Sequence, residues 1–199
     1  MPDASAPSPA RRAVFLDRDG TLMEEVHYCR DPEKVRLFPG VPEALMALRS
    51  AGFLTIVVTN QSGIARGTIL PEQYVAVHQR LCELLGPHAL DDTYMCPDHP
   101  ELLSARRKPA PGMLFEAASR WNIDLSASFM VGDKEIDVEC GQNAGCQGIL
   151  VRTGYGASLA SSKAHYVASD LAAATRWILD PTRQNLQKTP EHGPNGALP

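Results

Sequence analysis

Two carboxylates stand two residues apart in Asp17-Arg18-Asp19-Gly20-Thr21, directly after the short apolar run Ala13-Val14-Phe15-Leu16. A bounded run of that kind reads as a buried strand, and the glycine lets the chain turn away from its end. In open α/β sheets, ligands bind at the carboxyl ends of the strands. A carboxylate pair placed there can hold a divalent cation, attack an electrophile or move a proton. An Asp-rich turn is the alternative. A calcium loop is excluded by spacing, because a third oxygen ligand before the glycine and a glutamate about six residues after it are missing.

Further polar clusters punctuate the chain. Thr59-Asn60-Gln61-Ser62-Gly63 follows the apolar run Phe53–Val58. A hydroxyl followed by small, turn-forming residues suits an anion, and equally suits a helix N-cap. Arg106-Arg107-Lys108-Pro109 concentrates positive charge on a proline-marked loop, which taken alone is a solvated surface loop. Gly132-Asp133-Lys134-Glu135-Ile136-Asp137 again follows an apolar strand, and its acids would also suit the positive end of a helix. Together the clusters supply a nucleophile, metal ligands, oxyanion donors and cations, which are the parts of a phosphoryl-transfer site.

These clusters, in this order, resemble the motifs of the haloacid dehalogenase (HAD) superfamily of aspartate-nucleophile phosphatases, over about Ala13 to Leu179. The segments FLDRDGTL, VVTNQSGIARG, RKPAPGML and FMVGDKEID are similar to its capless branch, which holds D-glycero-D-manno-heptose 1,7-bisphosphate and histidinol-phosphate phosphatases. The resemblance implies a Mg²⁺-dependent phosphomonoester hydrolase with Asp17 as nucleophile and Asp19 as general acid and base. It places the metal on Asp17, the backbone carbonyl of Asp19, and Asp133, and the phosphate on Thr59 and Lys108. Asn60, Gln61, Arg107 and Lys134 are the implied substrate contacts, and Asp137 orients Lys108 or the metal's surroundings. Within the branch, the 7-phosphate of the heptose bisphosphate is the expected target, with histidinol phosphate and then a DNA 3′-phosphate as alternatives. A non-catalytic binding protein on the same fold is disfavoured by the full set of motifs.

The elements that must hold these groups alternate between strand and helix. Strands are expected at Ala13–Leu16, Phe53–Val58, Thr93–Met95, Ser128–Val131, Gly148–Val151 and Tyr166-Val167. Apolar residues at 41, 44, 45 and 48 make one face of a helix over Val41–Ser50. Pro71–Leu85 has a proline in its first turn and Gly86 as its stop, and further helices fall at Pro111–Trp121, Glu135–Ala144 and Leu171–Leu179. Units of about 30 residues predict an α/β fold, a three-layer Rossmann-like parallel sheet with helices on both faces and no cap. Met23 to Phe38 reads as a small hairpin or loop over the site. The domain is expected over residues 13–180, with disordered tails at 1–12 and 181–199.

At 199 residues, 44% hydrophobic and 21% charged, the composition is that of an ordinary soluble globular domain. A net charge of −4 gives no general attraction to nucleic acid or membranes. The resemblance implies a small phosphorylated molecule as partner, and short loops with no obvious exposed apolar stripe favour a monomer. Five scattered cysteines and no signal-peptide core fit a reduced, cytoplasmic protein.

The chain departs from the resemblance in one loop. Branch members often bind zinc there through a Cys and a His, then a Cys-x-Cys before Arg-Lys-Pro; here Cys96 and His99 remain, but Ser104 and Arg106 stand where the cysteine pair belongs. No zinc is expected. Gly154-Tyr155-Gly156 reads as a surface turn, and His27 and Tyr28 as loop residues with substrate contact the alternative. No role is assigned to Cys140 or Cys146.

Overall fold

A computed structural model describes residues 9–182. Six strands, β1 (Arg12–Leu16), β2 (Phe53–Asn60), β3 (Asp92–Cys96), β4 (Phe129–Gly132), β5 (Gln147–Val151) and β6 (Tyr166–Ala168), alternate with helices. The helices are α1 (Val41–Ser50), α2 (Pro71–Leu85), α3 (Gly112–Trp121), α4 (Glu135–Asn143) and α5 (Leu171–Leu179). The strands form one sheet in the order β3-β2-β1-β4-β5-β6, and every neighbouring pair is parallel. The chain runs outward one way from β1 through β2 and β3, then returns to β4 on the other side of β1. That reversal opens a crevice beyond the carboxyl ends of β1 and β4.

Alternation along the strands builds a core on each face of the sheet. Val14 and Leu16 point into the layer filled by α1, α2 and α5, through Leu45, Leu81 and Ile178 among others. Ala13 and Phe15 point the opposite way, onto Met113 and Leu114 of α3 and Cys140 of α4. These are the three layers that the alternating pattern predicts.

Local chemistry sets the helix ends. Pro71 opens α2, the Gln73 side chain accepts from Leu70 N at 2.9 Å, and Gly86 ends the helix at φ 88°. Asp170 caps α5 by accepting from Ala173 N at 2.7 Å. Helices α1, α2 and α5 match their expected bounds.

The strands differ more from expectation. β1 takes in Arg12, and Arg11 N donates to Asn122 O at 2.8 Å, so ordered chain starts before the expected boundary at residue 13. β2 runs on through Thr59 and Asn60, which pair in register with Met95 and Cys96 of β3. At the other end, Thr182 N donates to Asp180 Oδ1 at 2.9 Å; residues 1–8 and 183–199 of the expected tails lie outside the described residues. Between β1 and α1 the one helical element among the described residues is a 3-10 turn at Pro32–Lys34, and an antiparallel bridge joins Met23 to Leu37 on either side of it. Between β3 and α3 there is no helix or strand, so no cap domain stands over the crevice among the described residues.

Candidate active site

Asp17 continues β1 by donating its N–H to Val131 O of β4 at 2.9 Å, which sets its carboxylate at the crevice. Gly20 then turns the chain at φ 90°, and a Cβ there would fall on Asp133 Oδ2. The two acidic motifs meet at that close approach. Asp133 is fully buried, with Oδ2 accepting from Tyr155 N at 2.7 Å and Oδ1 without a protein partner. Burial first, and then the charge of Asp17, push Asp133 up to about 7.

Lys108 reaches the same floor from the loop before α3. Its Nζ donates to Asp17 Oδ1 at 2.7 Å and Val58 O at 2.8 Å, and lies 2.6 Å from Asp137 Oδ1. Burial opposes the ammonium charge, but Asp137 and Asp17 more than offset it and the lysine is raised. Burial also raises Asp137 to about 6, against the pull of Lys108. The other oxygen of Asp137 accepts from Lys134 N at 3.1 Å and so caps α4. One side chain therefore starts a helix and fixes the lysine.

Asp19 is turned toward Arg18, which donates from Nε to Asp19 Oδ2 at 2.9 Å and from Nη2 to Oδ1 at 3.1 Å. Arg18 is 1% exposed and stacks on the Tyr74 ring, with its guanidinium carbon 5.2 Å from the centroid. Gln61 Nε2 also donates to Asp19 Oδ2, at 2.8 Å, and to Thr59 Oγ1 at 2.9 Å. Asn60 turns to the lysine loop. Its amide makes a closed pair with the backbone of Lys108, Nδ2 to O and Oδ1 from N, both at 3.1 Å.

These groups line a cavity of about 280 Å³ that also takes in Arg107, Lys134, Glu25, His27, Tyr28 and Tyr155. Every expected catalytic and substrate-contact position is on that wall, while Asp133 lies behind it. Lys134 Nζ sits 3.4 Å from Glu25 Oε2 and 4.4 Å from the centre of the Tyr155 ring. Burial and the charge of Asp19 raise Glu25, and Lys134 partly offsets the rise.

Sequence reasoning missed Arg18, Glu25 and Tyr155. Gly154-Tyr155-Gly156 is the expected turn at the surface, with Gly154 and Tyr155 exposed, but it does more: its 3-10 turn over Gly154–Ser158 packs on Gly20 and supplies the N–H to Asp133. Thr153 Oγ1 donates to Gly20 O at 2.6 Å and ties the same turn down. His27 and Tyr28 reach the cavity, with Tyr28 held at φ 57°.

Asp17, Asp133 and Asp137 offer carboxylate oxygens within 4.8 Å of one another, the one such His, Cys, Asp and Glu group among the described residues. Hard oxygens beside an unpartnered buried Asp133 Oδ1 suit a hard divalent cation. In the loop before Arg107, Cys96 donates to Asp98 Oδ2 at 3.4 Å, and Arg106 Nε lies 3.0 Å from Glu116 Oε1. Of the Cys and His ligands in the zinc pattern only Cys96 and His99 stand in this loop, where a structural zinc takes four.

Comparison with known proteins agrees with this geometry. A family model described as HAD-hydrolase-like matches residues 105–174. D-glycero-D-manno-heptose-1,7-bisphosphate 7-phosphatase of Thermosynechococcus vestitus is 44% identical over 84% of this chain and 95% of its own. The D-glycero-beta-D-manno-heptose-1,7-bisphosphate 7-phosphatase of Rhodopseudomonas palustris is 37% identical over 72% and 85%. Among solved structures, D,D-heptose 1,7-bisphosphate phosphatase from B. bronchiseptica, complexed with magnesium and phosphate, superposes with a TM-score of 0.75. It is 32% identical and covers 89% of this chain and 99% of that one. With its motifs converging at the switch point of a parallel sheet, the chain belongs to the heptose 1,7-bisphosphate 7-phosphatase family of HAD phosphatases.

Proposed function

We propose that the chain hydrolyses the 7-phosphate of D-glycero-D-manno-heptose 1,7-bisphosphate through an aspartyl-phosphate on Asp17. The observation that carries this reading is Lys108 locked between Asp17 and Asp137 at the floor of a cavity whose wall bears Arg107. Relatives 44% and 37% identical, named for that reaction, support it.

Lys108 donates to Asp17 Oδ1 and fixes the carboxylate, one oxygen of which attacks phosphorus while the other stays available to the metal. An Asp17 O–P bond forms as the P–O bond to the sugar breaks, and Asp19 gives its proton to the departing alkoxide. Asp19 then takes a proton from the water that attacks the aspartyl-phosphate, which releases phosphate and restores Asp17. Both Asp19 oxygens accept from Arg18 and Oδ2 also from Gln61, so Asp19 leaves that fork to carry the proton. Lys108 offsets charge on the transferring group, and Thr59 Oγ–H donates to a phosphate oxygen. Arg107 meets the second phosphate, for which a guanidinium fork is suited.

Magnesium fits the site: Asp17, Asp133 and the carbonyl of Asp19 would hold it. When bound it supplies charge neutralisation and polarises the phosphoryl oxygens. No zinc is needed by the loop before Arg107. An ammonium-bearing ester such as histidinol phosphate would be favoured at the rim by Glu25, but that carboxylate is already paired with Lys134.

A phosphate-release screen tests the reading. The heptose bisphosphate is expected to show the highest kcat/KM among itself, histidinol phosphate and a 3′-phosphorylated oligonucleotide. Faster turnover of either rival overturns it.

A further inference from the structure

Arg107 and Lys108 are neighbours on one loop, yet they are held by different means. Lys108 is pinned through its backbone by the Asn60 amide and through Nζ by Asp17, Val58 O and Asp137. Arg107 uses none of these. Its N–H donates to Ser104 Oγ at 3.3 Å and its Nη1 to Asp98 O at 3.2 Å. Ser104 Oγ also accepts from Arg106 N at 3.2 Å and donates to Asp98 Oδ2 at 2.5 Å. A serine hydroxyl offers one donor and two acceptor sites, and all three are engaged. Asp98 thus closes the loop twice, with its carboxylate on Ser104 and its carbonyl on the Arg107 guanidinium. Cys96 adds its thiol to the same Asp98 oxygen, which joins the cluster to the end of β3.

We propose that Asp98 and Ser104 are positioning residues that aim Arg107 at the second anionic group of the substrate. The proposal rests on the reading that Arg107 contacts substrate. One of five guanidinium N–H donors is spent on Asp98 O, which leaves the others for a phosphate. A long cationic side chain that is already set gives up less rotamer freedom when the ligand arrives, so the gain appears in binding. Lys108 has its own anchors, so the chemical step is insulated from this cluster. The expected signature is a KM effect confined to substrates with a second anion.

Steady-state kinetics on the full chain with magnesium test this, using the heptose bisphosphate and p-nitrophenyl phosphate. Asp98→Ala and Ser104→Ala are each expected to raise KM for the bisphosphate about three- to tenfold. Their kcat, and kcat/KM on p-nitrophenyl phosphate, should stay within about twofold of wild type. The double variant should lose no more than the worse single, because both act through one cluster. Ser104→Thr, which keeps the hydroxyl, should remain near wild type, and Asp98→Asn, which keeps an acceptor oxygen, should lose less than Asp98→Ala. Equal losses on both substrates, additive losses in the double, or one zinc per chain in protein isolated without added metal overturns the proposal. Arg107→Ala separates the two levels of the argument. If it raises the bisphosphate KM while the Asp98 and Ser104 variants do not, only the positioning role fails. If it leaves that KM unchanged, the reading of Arg107 fails and the positioning role falls with it.

Discussion

Lys108 Nζ donates to Asp17 Oδ1 at 2.7 Å, although the two residues stand 91 positions apart. The contact is made possible by Asp137 on the other side of the ammonium and by the Val58 carbonyl beneath it. A lysine surrounded in this way is a point charge fixed in space before substrate arrives, so little reorganisation is left for the reaction.

Asp17→Asn keeps the shape of the nucleophile and removes its charge and its hard metal ligand. We expect kcat to fall by about a thousandfold or more while circular dichroism and thermal unfolding stay close to wild type. Activity within about tenfold of wild type would remove Asp17 from the nucleophile role.

Asp137→Ala deletes both the cap of α4 and one partner of the buried ammonium. Losing one member of a buried ion pair is costly, but Asp17 remains beside Lys108, so the expected loss is ~2–3 kcal/mol. Urea unfolding measures it. Asp137→Asn, which keeps an oxygen for Lys134 N, should lose less stability and still lower kcat, because Lys108 is then held from one side only.

Much of this architecture was legible locally. The apolar face of α1 and the proline and glycine bounding α2 are short-range signals, and the bounds follow them. The end of β2 was not, because Thr59 and Asn60 are drawn into the strand by pairing with β3. The same limit applies to the site. Asp17, Asp133 and Lys108 announce themselves through their motifs, whereas Tyr155 contributes a backbone N–H that any residue carries. Arg18 looks like a charge in a turn until the fold buries it against Tyr74. Ser104 was visible only as a departure from a ligand pattern and Asp98 not at all; their hydrogen bond is a fact of loop geometry.

The raised Asp133 predicts a pH-dependent demand for metal. Without metal its folded value is about 7 against an ordinary 3.8. Between those values the folded protein holds a proton that the unfolded chain has released, so metal-free stability should rise as pH falls from about 7 toward 4. Magnesium needs the deprotonated carboxylate, so its apparent affinity should weaken by up to about tenfold per pH unit below about 7. Thermal unfolding with and without Mg²⁺ from pH 5 to 8 checks both signs. A magnesium-induced rise in Tm that is as large at pH 5 as at pH 8 would contradict the assignment of Asp133 to the metal.

Asn60 separates a scaffold role from a substrate role. By sequence it is a substrate contact, but its amide is spent on both backbone groups of Lys108. Asn60→Ala therefore frees the peptide on which the ammonium is mounted and leaves two buried backbone groups to find other partners. The damage should fall on the step that every substrate shares. We expect kcat to drop about tenfold or more, by the same factor for the heptose bisphosphate and for p-nitrophenyl phosphate, with KM for the two shifting in parallel. Asn60→Asp keeps the acceptor for Lys108 N, loses the donor to Lys108 O, and adds a negative charge near the site, so it should not restore activity. A loss confined to KM for the bisphosphate would place the Asn60 amide on the substrate and require that it leave Lys108 during turnover.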